Sequence, residues 1–343
     1  MRRGYDSAMT DPAVERLASA IDLQTVRIVH AVAEHGSLTA AGAALGYSQP
    51  AVSQQLRRFE ERSGVALIER VGRGIRLTEA GRALARHARG VTTSLEAAAG
   101  ELAELRGLRA GRVRLAAFPS ASATLVPKVI AGLAASHPGI EVTYVEAEPP
   151  EAVRAVRENR ADVAITFSYP GDRDDPHRLS ARGLEVRPYG TERIRVVMPA
   201  DDPLADAAEL ALGRLADRAW IAGCPRCRGH LLELAHTAGF VPRIVFETDN
   251  FVAVEGMVAQ GLGVALLPEL ALQATPRRPG VVVRGATHDD VRSLHVVTAR
   301  GAERVPAVAA ALAALAAVSA GASAEHPFDR LRPAPVDTIG DDV

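Results

Sequence analysis

The stretch SQPAVSQQLRRFE, residues 48–60, gathers amides, hydroxyls and guanidinium groups on a segment with helical spacing. Ser48 can cap a helix by accepting a backbone N–H bond, and Pro50 is tolerated in a first turn whose N–H groups have no helical partner. Val52, Leu56 and Phe59 recur at spacings of four and three, so they form the buried stripe. At about 100° per residue, Pro50, Gln54, Arg57 and Glu61 point the opposite way, with Ser53 and Arg58 on the flanks. Side-chain amides and Arg can make paired hydrogen bonds to base edges in a DNA major groove. Taken alone, the same pattern also fits a solvated amphipathic helix.

The following residues favour DNA. Residues 70–90, RVGRGIRLTEAGRALARHARG, carry six Arg against the single acid Glu79. From residue 48 to 90 there are nine Arg and four acids, in a chain whose formal net charge is only -1. Such a local excess is the electrostatic footprint of nucleic-acid binding. Gly72 and Gly74 bracket Arg73 at an expected hairpin tip, which would push its guanidinium toward phosphates. A nucleotide phosphate loop is a poor alternative, since neither a Walker lysine nor a preceding strand accompanies GRG. Upstream, the apolar run from Leu38 to Leu45 predicts a short helix that Gly46-Tyr47 breaks. Two short helices joined by a tight turn make a helix-turn-helix.

The stretch from Asp22 to Gly90 resembles the winged helix-turn-helix of LysR-type transcriptional regulators. The ordered set GSLTAAG, SQPAVSQQL, FEERSGVALIER and RLTEAG carries the resemblance. It implies that Ser48, Gln49, Pro50, Ser53, Gln54 and Arg57 lie at the groove, with Arg70, Arg73 and Thr78 near the DNA backbone. Val29, Leu38 and Ile68 stand where the family usually carries Phe, which implies a slimmer core. Ala40 occupies a position that is often basic, which removes one expected phosphate contact.

At 343 residues the chain is long enough for two or more domains. It has no run of about 18 apolar residues that would span a membrane. Arg2 and Arg3 are not followed by an apolar export segment, so a cytoplasmic protein is expected. Two Cys do not make a disulfide framework. Leu84, Ala88, Val91, Leu95, Ala98, Leu102 and Leu105 alternate spacings of four and three, the seam of a coiled coil. One helix cannot bury that seam alone, so a dimer is expected, against the alternative of packing on the chain's own globular part.

From Arg112 the period shifts to RVRLAAF, IEVTYVE, DVAITF and RIRVVMP, then WIAG, IVFETD and VALLP, with helical patterns between most of them. Alternating strands and helices predict parallel, doubly wound α/β sheets. VVVRG, SLHVVTA and a last helix near 305–318 complete the pattern. The resemblance, covering residues 20–318, implies two such subdomains similar to a periplasmic binding protein. The expected organisation is a flexible extension over 1–19 and a winged helix-turn-helix over 20–81. A dimerisation helix follows over 82–110, then an effector-binding domain over 111–318 with its second subdomain at about 190–268. A disordered tail covers 319–343.

Ligands in such sheets collect beyond the carboxyl ends of strands, against helix N-termini. Four places qualify: Ser120 and Ser122, Thr166 and Phe167, Thr248 and Asn250, and the loop GCPRCRGH with Cys224. Each hydroxyl could equally be a helix cap; their convergence on one cleft is what the resemblance implies. Cys224 and Cys227 allow three readings: a redox switch, a metal site completed by His230 and His236, or small residues making room in a ligand loop. The last is expected, and with it no resident metal or cofactor. The expected function is a transcription factor of LysR type responding to a small-molecule effector, with DNA and a second copy as partners, possessing no enzymatic activity. The alternatives are a redox-responsive regulator acting through the Cys pair, a thiol oxidoreductase built on it, and a solute-binding protein.

Overall fold

A computed structural model describes residues 11–71, 74–105, 111–172, 175–177, 181, 183–276, 278–287 and 290–325. The chain forms two units, divided between Ala99 and Gly100. The first contains α1 (Pro12–Ala20), α2 (Leu23–His35), α3 (Leu38–Leu45) and α4 (Gln49–Ser63), then a hairpin of β1 (Ile68–Val71) and β2 (Gly74–Leu77), and α5 (Glu79–Leu105) as far as Ala99. Asp22, Ser37 and Ser48 cap α2, α3 and α4 by accepting the N–H groups of Thr25, Ala40 and Ala51. The three helices end on Gly36, Gly46 and Gly64 at φ 69°, 73° and 70°, a conformation in which a Cβ is strained. This punctuation makes the tight turn between α3 and α4. Val52, Leu56 and Phe59 then close on Ile28, Val29, Val32 and Ala41 in one core. At Gly81 a Cβ would come within 2.1 Å of the Leu67 carbonyl oxygen, so only glycine lets α5 pass the hairpin base.

The extension expected through residue 19 is corrected: residues 12–20 are helical, and Ala20 is buried in the same core. Residues 1–10 lie outside the described residues. Along α5, Leu84 packs on this core, whereas Val91, Leu95 and Leu102 are 41%, 45% and 63% exposed. The uncovered part of the predicted seam therefore begins at Val91.

The second unit is built on strands in the order β4 (Ile140–Glu146), β3 (Gly111–Ala117), β5 (Val163–Ser168), β12 (Val291–Ala299), β6 (Leu184–Pro199), β10 (Val264–Pro268), β8 (Ala219–Ala222), β9 (Arg243–Glu247). Strand β6 is 16 residues long and serves two lobes. It pairs with β12 as far as Arg193, then with β10 from Ile194 and with β11 (Val281–Ala286) from Val196. Because β11 joins this second lobe, the lobe reaches Ala286 and does not end at about 268. The expectation of all-parallel sheets also needs correction. β3 is parallel to β4 and β5, and β8 to β9 and β10, but β6 and β12 run antiparallel to their neighbours. The last helix, α11 (Pro306–Glu325), extends past residue 318 into the segment expected to be a disordered tail. Among the described residues no helix is long and apolar enough to cross a membrane.

Asp22 tests how the first unit is held. Its carboxylate accepts from Thr25 N–H at 2.7 Å, Gln55 Nε2 at 3.0 Å and Arg62 Nη2 at 2.8 Å. Burial alone would raise its pKa, but the bonds from Thr25 and Arg62 outweigh it and hold the carboxyl below the usual range. With a depressed folded pKa, its stabilisation is fully present above the unfolded carboxylate value and is lost as pH falls through the folded one. Asp22→Ala is expected to cost about 1–2 kcal/mol at neutral pH, read by urea unfolding, with the difference from wild type shrinking in acid.

Candidate functional site

In the first unit, Ser48, Gln49, Pro50, Gln54 and Arg57 are exposed on one end and face of α4, and Ser53 is half-buried beside them. Gln55 turns inward instead, donating to Asp22 and to Thr25 Oγ1. Arg62 is likewise committed, to Asp22 and the Ala20 carbonyl. Arg70 is exposed on β1, while Arg73 lies outside the described residues. Thr78, expected near the DNA backbone, spends its hydroxyl inside the protein at the start of α5. Its hydroxyl donates to the Ala66 carbonyl at 2.8 Å and accepts from Gly81 N–H at 3.0 Å. With its only proton used inside the protein, it has no donor to offer a phosphate oxygen.

In the second unit a cleft of about 450 Å³ opens between the lobes. Ser122, Tyr144 and Glu146 line it from the first lobe, and Asp249, Asn250 and Phe251 from the second. Ser122 heads α6 (Pro119–Ser136) and bonds the carbonyls of Ala117 and Phe118. Asn250 caps α9 (Phe251–Ala259), accepting from the N–H groups of Val252 and Ala253, and Thr248 accepts from the N–H of Asn250. Of the predicted effector residues, only Ser122 and Asn250 line this cleft.

Ser120, Phe167 and Cys224 are buried in a cluster centred on a residue that the sequence did not single out, Arg292. Its Nε donates to Glu192 at 2.7 Å and its Nη2 to Ser120 at 2.8 Å. The guanidinium stands 4.3 Å and 4.7 Å from the ring centroids of Phe167 and Phe118. Glu192 and Arg292 are direct partners across β6 and β12, and their side chains are 3% and 2% exposed. The second Glu192 oxygen accepts from Leu270 N–H at 2.8 Å, at the start of α10 (Glu269–Ala274). Burial pushes the Glu192 carboxyl up, with Arg292 and the Leu270 N–H opposing. Both oxygens act as acceptors, as an ionised carboxylate requires.

Thr166 does not join them. Adjacent residues on a strand face opposite sides, so Phe167 and Thr166 cannot line the same cleft. Thr166 is fully buried, bonded at 2.7 Å to His177 Nε2 and packed near His295, whose pKa is pushed down to about 4 by burial and by His177.

Cys224 caps α8 (Pro225–Thr237) by accepting the Cys227 N–H. The two sulfurs are 3.0 Å apart, and the Tyr169 hydroxyl donates to Cys227 at 3.5 Å. Tyr169 stacks on His230 at 3.8 Å, and His230 Nε2 is 2.8 Å from Asp290. His236 is exposed, and among the described residues no three His, Cys, Asp or Glu converge to hold an ion. Glu148 approaches the same cluster; burial, then Cys227 and Asp249, push its carboxyl up to about 7. The sequence carried only a weak signal for Arg292 and Glu192, since Arg292 is a charge in the mostly apolar run of β12 but Glu192 is one of five charged residues in β6. Only the register reveals that the charges meet.

Residues 23–82 match the bacterial regulatory helix-turn-helix protein family of lysR type, and residues 106–320 match the LysR substrate binding domain. The chain belongs to the LysR family. It is 29% identical over 254 residues to an uncharacterized HTH-type transcriptional regulator, YvbU, of Bacillus subtilis, covering 74% of this chain and 83% of that one. It is 30% identical over 258 residues to the SDS degradation transcriptional activation protein of a Pseudomonas species, covering 72% and 79%. Among solved structures, a full-length OxyR variant from Pseudomonas aeruginosa shares the fold with TM-score 0.62 at 22% identity, covering 86% of this chain and 94% of that one. Full-length BenM does so with TM-score 0.53 at 20% identity, covering 90% and 100%. This LysR-type protein is thus a DNA-binding transcriptional regulator with an effector-binding domain.

The pair at the centre of its effector domain gives a direct test. Arg292→Met leaves the Glu192 carboxylate buried without its cation and is expected to cost about 3–5 kcal/mol in urea unfolding. Adding Glu192→Leu removes the orphaned charge and should recover most of that loss. A double variant no more stable than the single one would show that the pair is not coupled.

Proposed function

We propose that this regulator reads its operator with the exposed face of α4 and is controlled by a small molecule held between the lobes of its second unit. The observation that carries the first half is the division of α4, with Val52, Leu56 and Phe59 buried and Gln49, Gln54 and Arg57 exposed. A helix that spends its apolar stripe on the core and presents amides and guanidinium groups outward is equipped for base edges. Ser48 and Ser53 flank that face, Pro50 sets its entry, and Arg70 on the hairpin supplies a phosphate contact, as does Arg73, which lies outside the described residues. The cleft lined by Ser122 and Asn250 supports the second half, while Ser120, Phe167 and Cys224 are buried in the Arg292 cluster rather than lining it. Their connection to Arg292 and Glu192, on the strands that cross between lobes, gives a ligand a route to the lobe arrangement. Thr166 and Thr248 have no part in this reading.

The exposed Val91, Leu95 and Leu102 of α5 supply the dimer contact, bringing two reading helices to two half-sites. The protein acts in the cytoplasm on DNA and performs no catalysis.

Arg57→Ala is expected to weaken specific DNA binding by about 1–3 kcal/mol, roughly 5- to 150-fold, without lowering the thermal midpoint. Arg70→Ala should weaken binding to all sequences alike and reduce the salt slope by about one. Fluorescence anisotropy over a salt series reads both, and unchanged affinity in both folded variants contradicts the assignment. Leu95→Asp places a charge in the seam, so sedimentation should show a smaller species with reduced operator affinity. A metabolite that raises the thermal midpoint of wild type, and does so less for Asn250→Ala, identifies the effector and its cleft.

A further inference from the structure

The Cys224–Cys227 pair has a geometry that small loop residues do not need. Cys224 holds the cap position of α8 and Cys227 the first turn, which brings the two sulfurs to 3.0 Å. The Cys224 S–H points at Cys227, and the Tyr169 O–H points at it as well. Two donors aimed at one sulfur describe a thiolate acceptor. Cys224 is buried within the core that Phe118, Phe167, Tyr169 and Leu294 of the first lobe share with Leu270 of the second. Cys227, one turn on, is partly buried as a residue.

We propose that Cys224 and Cys227 form an oxidisable dithiol site for a small hydroperoxide, in which Cys227 is the attacking sulfur and Cys224 the resolving one. The Cys227 thiolate attacks one peroxide oxygen; the S–O bond forms as the O–O bond breaks, and the departing hydroxide leaves as water by taking up the proton that Cys227 released to solvent on ionising. Cys227 is then a sulfenic acid. Cys224 attacks its sulfur, the S–S bond forms as the S–O bond breaks, and the oxygen leaves with the Cys224 proton as a second water. Two thiols lose two electrons in total, and the peroxide is reduced to two waters. Thiolate character decides which sulfur reacts first. The Cys227 thiol is pushed below the ordinary range, chiefly by the Cys224 S–H, against burial and with help from Arg292 and Tyr169.

The consequence extends beyond the pair. A disulfide removes a negative charge that faces Arg292 and the acceptor that holds the Tyr169 hydroxyl. Arg292 is the group that joins Glu192 and Ser120, so oxidation acts on the contact between the crossing strands and α6. The site operates whether or not the cleft holds an effector.

The experiment uses the full chain, reduced and then treated with one equivalent of hydrogen peroxide. The two alkylatable thiols of the chain should disappear together, with a mass loss of two hydrogens that dithiothreitol reverses. Cys224→Ser should stop at a sulfenic acid on Cys227 that dimedone traps, and Cys227→Ser should react far more slowly. In Cys224→Ala the pH at half-maximal alkylation of Cys227 should rise toward the ordinary thiol value of about 8.5, a change that a packing role does not produce. Trp220, the chain's only Trp and fully buried four residues before Cys224, supplies the conformational readout. Its emission should shift on oxidation and return on reduction. Two free thiols after peroxide, a disulfide between chains, or equal oxidation of the Cys227→Ser variant overturns the proposal. A disulfide that leaves Trp220 emission unchanged overturns its coupling to the lobes. None of these results bears on the α4 assignment, which the anisotropy series decides separately.

Discussion

A buried guanidinium that must be neutralised sets the architecture of the effector-binding unit. Arg292 on β12 and Glu192 on β6 face each other in register, almost wholly removed from water. Breaking such a pair leaves one charge stranded at a cost of several kcal/mol, so the strands cannot slip without penalty. The pair lies where β6 passes from one lobe to the other. Its remaining bonds reach Ser120 at the head of α6 and Leu270 at the head of α10. The cluster therefore fixes the relation of helices in both lobes to the strands between them. Buried ion pairs contribute more to a unique geometry than to stability here, because a well-packed apolar replacement costs little.

The DNA-binding unit depends on a different kind of constraint. Its small core contains Val29, with Leu38 and Ile68 packed against it, and polar contacts join the same elements. Asp22 joins the start of α2 to Gln55 and Arg62 on α4, and Thr78 joins the start of α5 to the Ala66 carbonyl before the hairpin. The network divides the polar residues of α4 into two groups. Gln55 and Arg62 serve the fold, and Gln54 and Arg57 remain available for a ligand.

The sequence made legible whatever depends on local periodicity. The stripe of Val52, Leu56 and Phe59, the Ser48 cap and the Gly46 turn follow from spacing and residue type, and the structure forms each of them. Pairings distant in sequence were not legible. Glu192 and Arg292 are 100 residues apart, and neither strand alone reveals its partner. Thr166 and Phe167 both looked like cleft residues because they follow one strand, yet the pleat sends them to opposite faces. The second lobe ran past its expected end because VVVRG read as one more strand of the pattern, with no sign that it pairs with β6. Thr78 misled for a chemical reason, since a hydroxyl that caps a helix and one that meets a phosphate look the same in sequence.

The central claim is that α4 and the hairpin after it are the DNA-reading surface of a regulator whose second unit serves to sense. Amide hydrogen exchange of the full chain, with and without a DNA fragment carrying a site it binds specifically, tests this most directly. Exchange should slow in α4, Gln49–Ser63, and across the hairpin, while the sheet of the effector-binding unit keeps its free-state rates. Protection confined to the second unit, with α4 exchanging as it does without DNA, would contradict the account.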